Sequence, residues 1–178
     1  MSAPPDARDL EHAVIRLADA LGDAALLIGG LAVSAWGYVR ATDDIDFVAS
    51  IPPAEVQQRL AAAGLASHLL EGNLLDGDIP WCVKGRIGGF AFDVLPPLVP
   101  IDFDQAVTVR LAGRKSVRVV DLETLLRLKL HAGGPQDLLD VAKLLRVHPG
   151  LVDRARTVAE KYGLWAQLDR WLSDPRVR

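Results

Sequence analysis

The stretch "LIGGLAVSAWGYVRATDDIDFVAS", residues 27–50, constrains this chain more than any other part of it. Within it, "DIDFVAS" alternates acidic and apolar residues, the pattern of a strand with one apolar and one polar face. Asp44 and Asp46 then leave the strand on the same side, while Asp43 and Ile45 point to the other. Two carboxylates a few ångströms apart repel unless they are protonated or bridged by cations. Buried strands seldom carry that much negative charge unless something cationic sits beside it.

The surrounding sequence predicts an order of elements. Leu10, Val14, Ile15, Leu17 and Leu21 recur at near-helical spacing, and Gly22-Asp23 ends that helix. "AALLIGG" reads as a short buried strand closing on glycine, and residues 31–38 suit a helix whose amino end lies at Gly29-Gly30. After the acids, "PPAEVQQRLAAAG" predicts a helix with proline at its start and glycine past its end. The runs "WCVKGRI", "GFAFDVL", "AVTVRLA" and "KSVRVV" follow as short strands. Gly88-Gly89 turns the first of these into the second, and "LAGRKS" turns the third into the fourth. From Asp121 onward the pattern is helical: "DLETLLRLKLHAG" behind a capping aspartate, then "GPQDLLDVAKLLRVHPG" with proline in its first turn. Two more helices cover residues 151–162 and 164–172. The expected architecture is α/β (α+β), with a core over residues 1–120 and a helical segment over residues 121–178 packed on it.

Composition narrows the function classes. A chain of 178 residues, half of them hydrophobic, builds a normal core without structural metals or disulfides. Cys82 is the single cysteine, which excludes an intramolecular disulfide and fits a reducing cytoplasm; in "IPWCVKG" it reads as a small apolar strand residue. The opening "MSAPPDARDLEHAV" has no secretory signal pattern, and no apolar run approaches the roughly 20 residues a membrane span requires, so a cytoplasmic location without membrane attachment is expected. The formal net charge is −3, and Arg114, Lys115 and Arg118, with Arg176 and Arg178 at the end, make no continuous basic stripe. A small-molecule or protein substrate is therefore as open as RNA. Asp76 and Asp78 sit in a Gly- and Pro-marked loop, and Asp102 and Asp104 follow prolines, so neither pair reads as a ligand set. His12, His68, His131 and His148 are dispersed, and Trp36, Trp81, Trp165 and Trp171 read as packing residues.

A third strand acid, Asp93, lies in "FAFDVLPP" between apolar neighbours. Placed on a strand beside Asp44 and Asp46, it would complete a set of three hard oxygen donors suited to Mg²⁺ or Mn²⁺. Gly29 and Gly30 lack a Cβ, so the backbone there can approach a ligand closely. The helix that follows would aim unpaired N–H groups at an anion such as a triphosphate.

Ile28-Gly29-Gly30, Asp44-Ile45-Asp46 and Phe92-Asp93-Val94 together resemble the DNA polymerase β-like nucleotidyltransferase superfamily. "GGLAVSAWGYVRATDDIDF", with Arg40 and Thr42 before the acids, is similar to the AbiEii-like toxin and small antibiotic nucleotidyltransferase branches. "LLRLKLHAGGPQDLLDVAKLL" resembles the lysine helix and Asp-x-x-Asp segment of AbiEii-like chains through Lys129, Asp137 and Asp140, with Gln136 where a basic residue is usual. The resemblance implies a nucleotidyltransferase fold, a small mixed sheet flanked by helices, and transfer of NMP from an NTP to an acceptor hydroxyl. By that resemblance Asp44 and Asp46 would hold Mg²⁺ or Mn²⁺, and Asp93 would ligate the catalytic ion and help deprotonate the acceptor. Gly29 and Gly30 would seat the β- and γ-phosphates, Lys129 and Arg40 would neutralise phosphate charge, and Asp140 would belong to the nucleotide site. The acceptor implied is RNA or protein, with an antitoxin as possible partner; the alternatives are a small antibiotic-like acceptor or a non-catalytic binding module.

Overall fold

A computed structural model of the chain describes residues 7–42, 44–72, 79–111 and 115–174. Asp43, Asp76, Asp78, Arg114, Arg176 and Arg178 lie outside the described residues. Helix α1 (Ala7–Leu21) leads through a 3-10 turn into β1 (Ala25–Leu27), α2 (Gly29–Ala35), β2 (Asp44–Ala49) and α3 (Pro53–Ala62). Strands β3 (Ser67–Glu71), β4 (Trp81–Ile87), β5 (Phe90–Leu95), β6 (Val107–Arg110) and β7 (Ser116–Val119) follow, then α4 (Leu122–Ala132), α5 (Pro135–Val147), α6 (Val152–Lys161) and α7 (Trp165–Ser173). The fold is the expected mixed sheet flanked by helices, with a helical region at the carboxyl end.

The strands form one seven-stranded sheet in the order β3-β4-β5-β2-β1-β7-β6. Residue alternation decides its two faces. Val83, Ile87, Phe90, Phe92, Val94, Ile45 and Phe47 are buried, and α1 and α3 pack on that side. Their sequence neighbours Lys84, Arg86, Ala91, Asp93, Asp44 and Asp46 are half-buried or exposed on the other face. That second face stays open over β4 and β5. At β2 it is bordered by α2, which packs on both β2 and α4.

Strand β3 has no counterpart in the sequence-based expectation. "SHLLE" lacks a clean period-two pattern, and its burial is irregular because it is an edge strand paired only with β4. Its conformation comes from that antiparallel pairing, not from an apolar face of its own. Asp102 accepts a hydrogen bond from the Asp104 amide at 3.0 Å and so caps a 3-10 turn. Lys115 pairs with Asp19 at 2.7 Å, and Arg118 donates to the carbonyls of Asp23 and Phe103. These cations fasten the β6-β7 hairpin to its neighbours. Trp36 packs and donates its indole N–H to the Val120 carbonyl at 3.0 Å, and His148 stands edge-on to it.

Candidate active site

Strand β5 lies directly beside β2, in parallel, with Asp46 opposite Asp93 and Asp44 opposite Ala91. Residues opposite in register share a face, so Asp44, Asp46 and Asp93 all project from the open side of the sheet. Strand β1 is the other neighbour of β2, and its last turn brings Gly29 against the Asp46 carboxylate. Gly29 has φ +64°, and a Cβ there would fall 2.0 Å from Asp46 Oδ2. Only glycine allows both that backbone conformation and that approach. A Cβ at Gly30 would come within 2.9 Å of Arg40 Nη2 and of Thr42 Oγ1, so the second glycine admits the loop that precedes Asp44. Helix α2 does begin at Gly29, but it has only seven residues, so its dipole is small.

Burial and the like charges of Asp93 and Asp44 push the Asp46 carboxyl up to about 6, with Lys129 and Lys84 opposing the rise. The group binds its proton more tightly folded than unfolded. It therefore favours the folded state at low pH, and that contribution is lost as pH rises through about 6. A rise to about 6 corresponds to roughly 3 kcal/mol. Asp46→Asn, which keeps the neutral shape, should raise the melting temperature of the metal-free protein at pH 8 and leave it nearly unchanged at pH 4. Equal effects at the two pH values would show that Asp46 carries no such strain.

Two residues of this site were not expected there: Lys84 was not singled out from the sequence, and Cys82 was read as a small apolar strand residue. Lys84, opposite Asp93 on β4, places its ammonium 2.7 Å from Asp93 Oδ2. Its pKa is raised, mainly by that hydrogen bond, so it stays protonated. Cys82 lies on the same face and its thiol hydrogen-bonds Asp93; burial foremost, with Asp93, pushes it up to about 11. It is thus a neutral partner of the acid and not a nucleophile near neutral pH. The signal for Lys84 was present in the sequence. A two-residue turn at Gly88-Gly89 pairs Ile87 with Phe90, and counting back along both strands sets Lys84 against Asp93.

The remaining expected site residues gather at the junction with the helical region. Asp140, on α5, is fully buried. Arg40 meets it with two N–H groups, Nε at 2.9 Å from Oδ1 and Nη2 at 3.1 Å from Oδ2. Lys129 lies 2.9 Å from Oδ2, and the Gln136 amide donates to Oδ1 at 2.9 Å. Lys129 also pairs with Asp137 at 2.8 Å, and Asp137 accepts from the Gly134 amide to cap α5. Arg40 and Lys129 against Asp137 and Asp140 make a cluster of zero net charge. Gln136 fits that balance, because it satisfies Asp140 without adding a third cation. Asp140 therefore has no surface to offer a nucleotide, and the Arg40 guanidinium is occupied by Asp140 and the Ala41 carbonyl. Lys129 reaches from this cluster to the acids, lowering the Asp46 pKa through its charge.

Asp44 and Asp46 are hard oxygen donors on one face, and the raised Asp46 carboxyl marks uncompensated negative charge, which suits a divalent cation. Among the described residues, however, no group of three or more such side chains is assembled as a closed ligand set. Lys84 occupies Asp93 where a third ligand was expected. The fit holds for the Asp44 and Asp46 pair.

No family model matches the chain, and no curated protein matches it. Solved structures do. The crystal structure of ANT(2″)-Ia in complex with adenylyl-2″-tobramycin superposes with a TM-score of 0.55 and 19% identity, covering 86% of this chain and 94% of that one. The solution structure of the antibiotic-resistance factor ANT(2″)-Ia gives a TM-score of 0.56 and 18% identity over 91% of this chain and 97% of that one. The fold of the chain is similar to that of ANT(2″)-Ia. These likenesses are to the fold and carry no link to the AbiEii-like branch in particular.

Proposed function

We propose that the protein is a metal-dependent nucleotidyltransferase that moves NMP from an NTP to an acceptor hydroxyl. One observation carries the reading: Asp44, Asp46 and Asp93 stand side by side on the open face of the sheet, with Gly29 closed against Asp46. Burial and the like charges of Asp93 and Asp44 strain Asp46 where it stands, and a bound cation would relieve that strain.

Asp44 and Asp46 would hold Mg²⁺ or Mn²⁺, which when bound would offset charge on the nucleotide phosphates. Gly29 opens α2 and is half-buried, so phosphate oxygens would approach the backbone there, whereas Gly30 is buried against Arg40 and Thr42. The acceptor oxygen bonds to the α-phosphorus, the bond from that phosphorus to the bridging oxygen breaks, and pyrophosphate departs with the electron pair. Asp93 takes the proton of the attacking hydroxyl, while Lys84 and Cys82 fix its carboxylate in place. Lys129 supplies a fixed positive charge beside Asp46. Arg40 and Asp140 act as positioning residues, holding Lys129 and the loop before Asp44.

ANT(2″)-Ia is described with adenylyl-2″-tobramycin, and this favours a small-molecule acceptor. The second reading is an RNA or protein acceptor of the AbiEii-like type, with a possible antitoxin partner. It is favoured by the way Lys129, Asp137 and Asp140 come together from the helix and Asp-x-x-Asp segment. Calorimetry with ATP, CTP, GTP and UTP tests the shared core of both readings. Wild type should bind at least one of them only with Mg²⁺ or Mn²⁺ present, and Asp44→Ala and Asp46→Ala should lose that binding. Variants that bind every nucleotide as wild type does would move the metal site elsewhere.

A further inference from the structure

Beyond Asp93, on the side away from Asp46, the open face continues as a groove of about 420 Å³ over β3, β4 and β5. Its floor is small: Ala66, Ser67, Gly85 and Ala91 let a ligand lie close to the sheet. Its walls are basic. His68 stands opposite Lys84, Lys84 stands opposite Asp93, and Arg86 follows two residues on, opposite Ala91. All four side chains therefore share one face, about 5 Å apart across strands and about 7 Å apart along them.

The charge balance is one-sided. Asp93 is the single carboxylate among the lining residues, and the Lys84 ammonium already pairs with it. Arg86 is exposed and gives one N–H to the Gly89 carbonyl, which leaves other donors of its guanidinium directed to solvent. His68 adds a ring N–H donor at the same edge. A polyamine such as tobramycin would meet these cations with no unpaired carboxylate among the lining residues to receive it, which opposes its binding.

We propose that this groove is the acceptor subsite and that it takes an acceptor carrying a phosphate beside its reactive hydroxyl. With the hydroxyl at Asp93, a phosphate roughly 7 Å away lies at Arg86, where the planar guanidinium can bind two of its oxygens. That separation is the span of one sugar phosphate unit, which a free sugar phosphate and the terminal nucleotide of an RNA strand both offer. The assignment rests on the transferase reading, since only then must a hydroxyl sit at Asp93.

Calorimetry on wild type, Arg86→Gln and Arg86→Glu tests it, with ribose 5-phosphate, a short single-stranded oligoribonucleotide, ribose and tobramycin as probes. Mg²⁺-dependent NTP binding is followed in parallel. A phosphate-bearing probe should bind wild type, and ribose should bind about 10- to 100-fold more weakly. Arg86→Gln should weaken the phosphate probe by a similar factor and Arg86→Glu should abolish it, with NTP binding unchanged in both. Ribose 5-phosphate binding as well as the oligomer identifies a free sugar phosphate. Tighter, salt-sensitive binding of the oligomer identifies an RNA end. Intact NTP binding with no phosphate preference, or tobramycin binding that strengthens in Arg86→Glu, overturns the subsite and leaves the transferase reading standing. Absence of metal-dependent NTP binding in wild type would overturn the transferase reading itself.

Discussion

Asp140→Ala should destabilise the protein by about 3–5 kcal/mol, the usual consequence of removing one partner from a buried ion pair. Asp140 is 0% exposed and receives Arg40, Lys129 and Gln136 together. Alanine would leave two cations facing one another, with Asp137 as the remaining acid for Lys129. The attraction lost spans 100 residues of chain, from the loop before β2 to α5, so the helical region should loosen from the sheet. For a chain of this size the melting temperature should fall by about 10 °C. Chemical denaturation should show a lower midpoint with an unchanged slope. Arg40→Met combined with Asp140→Leu should recover part of the loss, because an apolar pair of similar volume needs no compensating charge. A loss below about 1 kcal/mol in Asp140→Ala would mean that water already screens the cluster.

The sequence carried most of the fold because its local signals agree with one another. Period-two alternation in "DIDFVAS" and "GFAFDVL" placed two strands with one polar face each, and that face is where the acids stand. Glycine at Gly29 was legible as a close approach, but its partner was not: the atom it makes room for is on Asp46, seventeen positions later. Strand β3 was invisible because edge strands need only a neighbour, and "SHLLE" has no buried stripe to betray it. Asp140 was read as part of the nucleotide site because Asp-x-x-Asp spacing shows which helix face a residue occupies, not whether cations from elsewhere already cover it. Arg40, which covers it, is 100 positions away. Lys84 was a different kind of omission. The hairpin at Gly88-Gly89 already implied its register opposite Asp93, so the ion pair could have been counted from the turn alone.

Asp93 separates a transferase from a binding module of the same fold. Asp44 and Asp46 act as soon as metal and nucleotide bind, whereas a proton acceptor for the attacking hydroxyl matters in the transition state. Asparagine keeps the size of the side chain and removes its charge and basicity. It also leaves Lys84 unpaired, but the Lys84 side chain is 40% exposed, so the fold should tolerate the change. The direct measurement is NTP affinity and NMP transfer by wild type and Asp93→Asn side by side, with labelled NTPs and sugar phosphates, RNA, protein and aminoglycosides as acceptors. The account predicts transfer by wild type with release of pyrophosphate, and a loss of about 10²- to 10⁴-fold in Asp93→Asn with nearly unchanged NTP affinity. Wild-type rates in Asp93→Asn, or metal-dependent NTP binding by wild type with transfer to none of these acceptors, would contradict it.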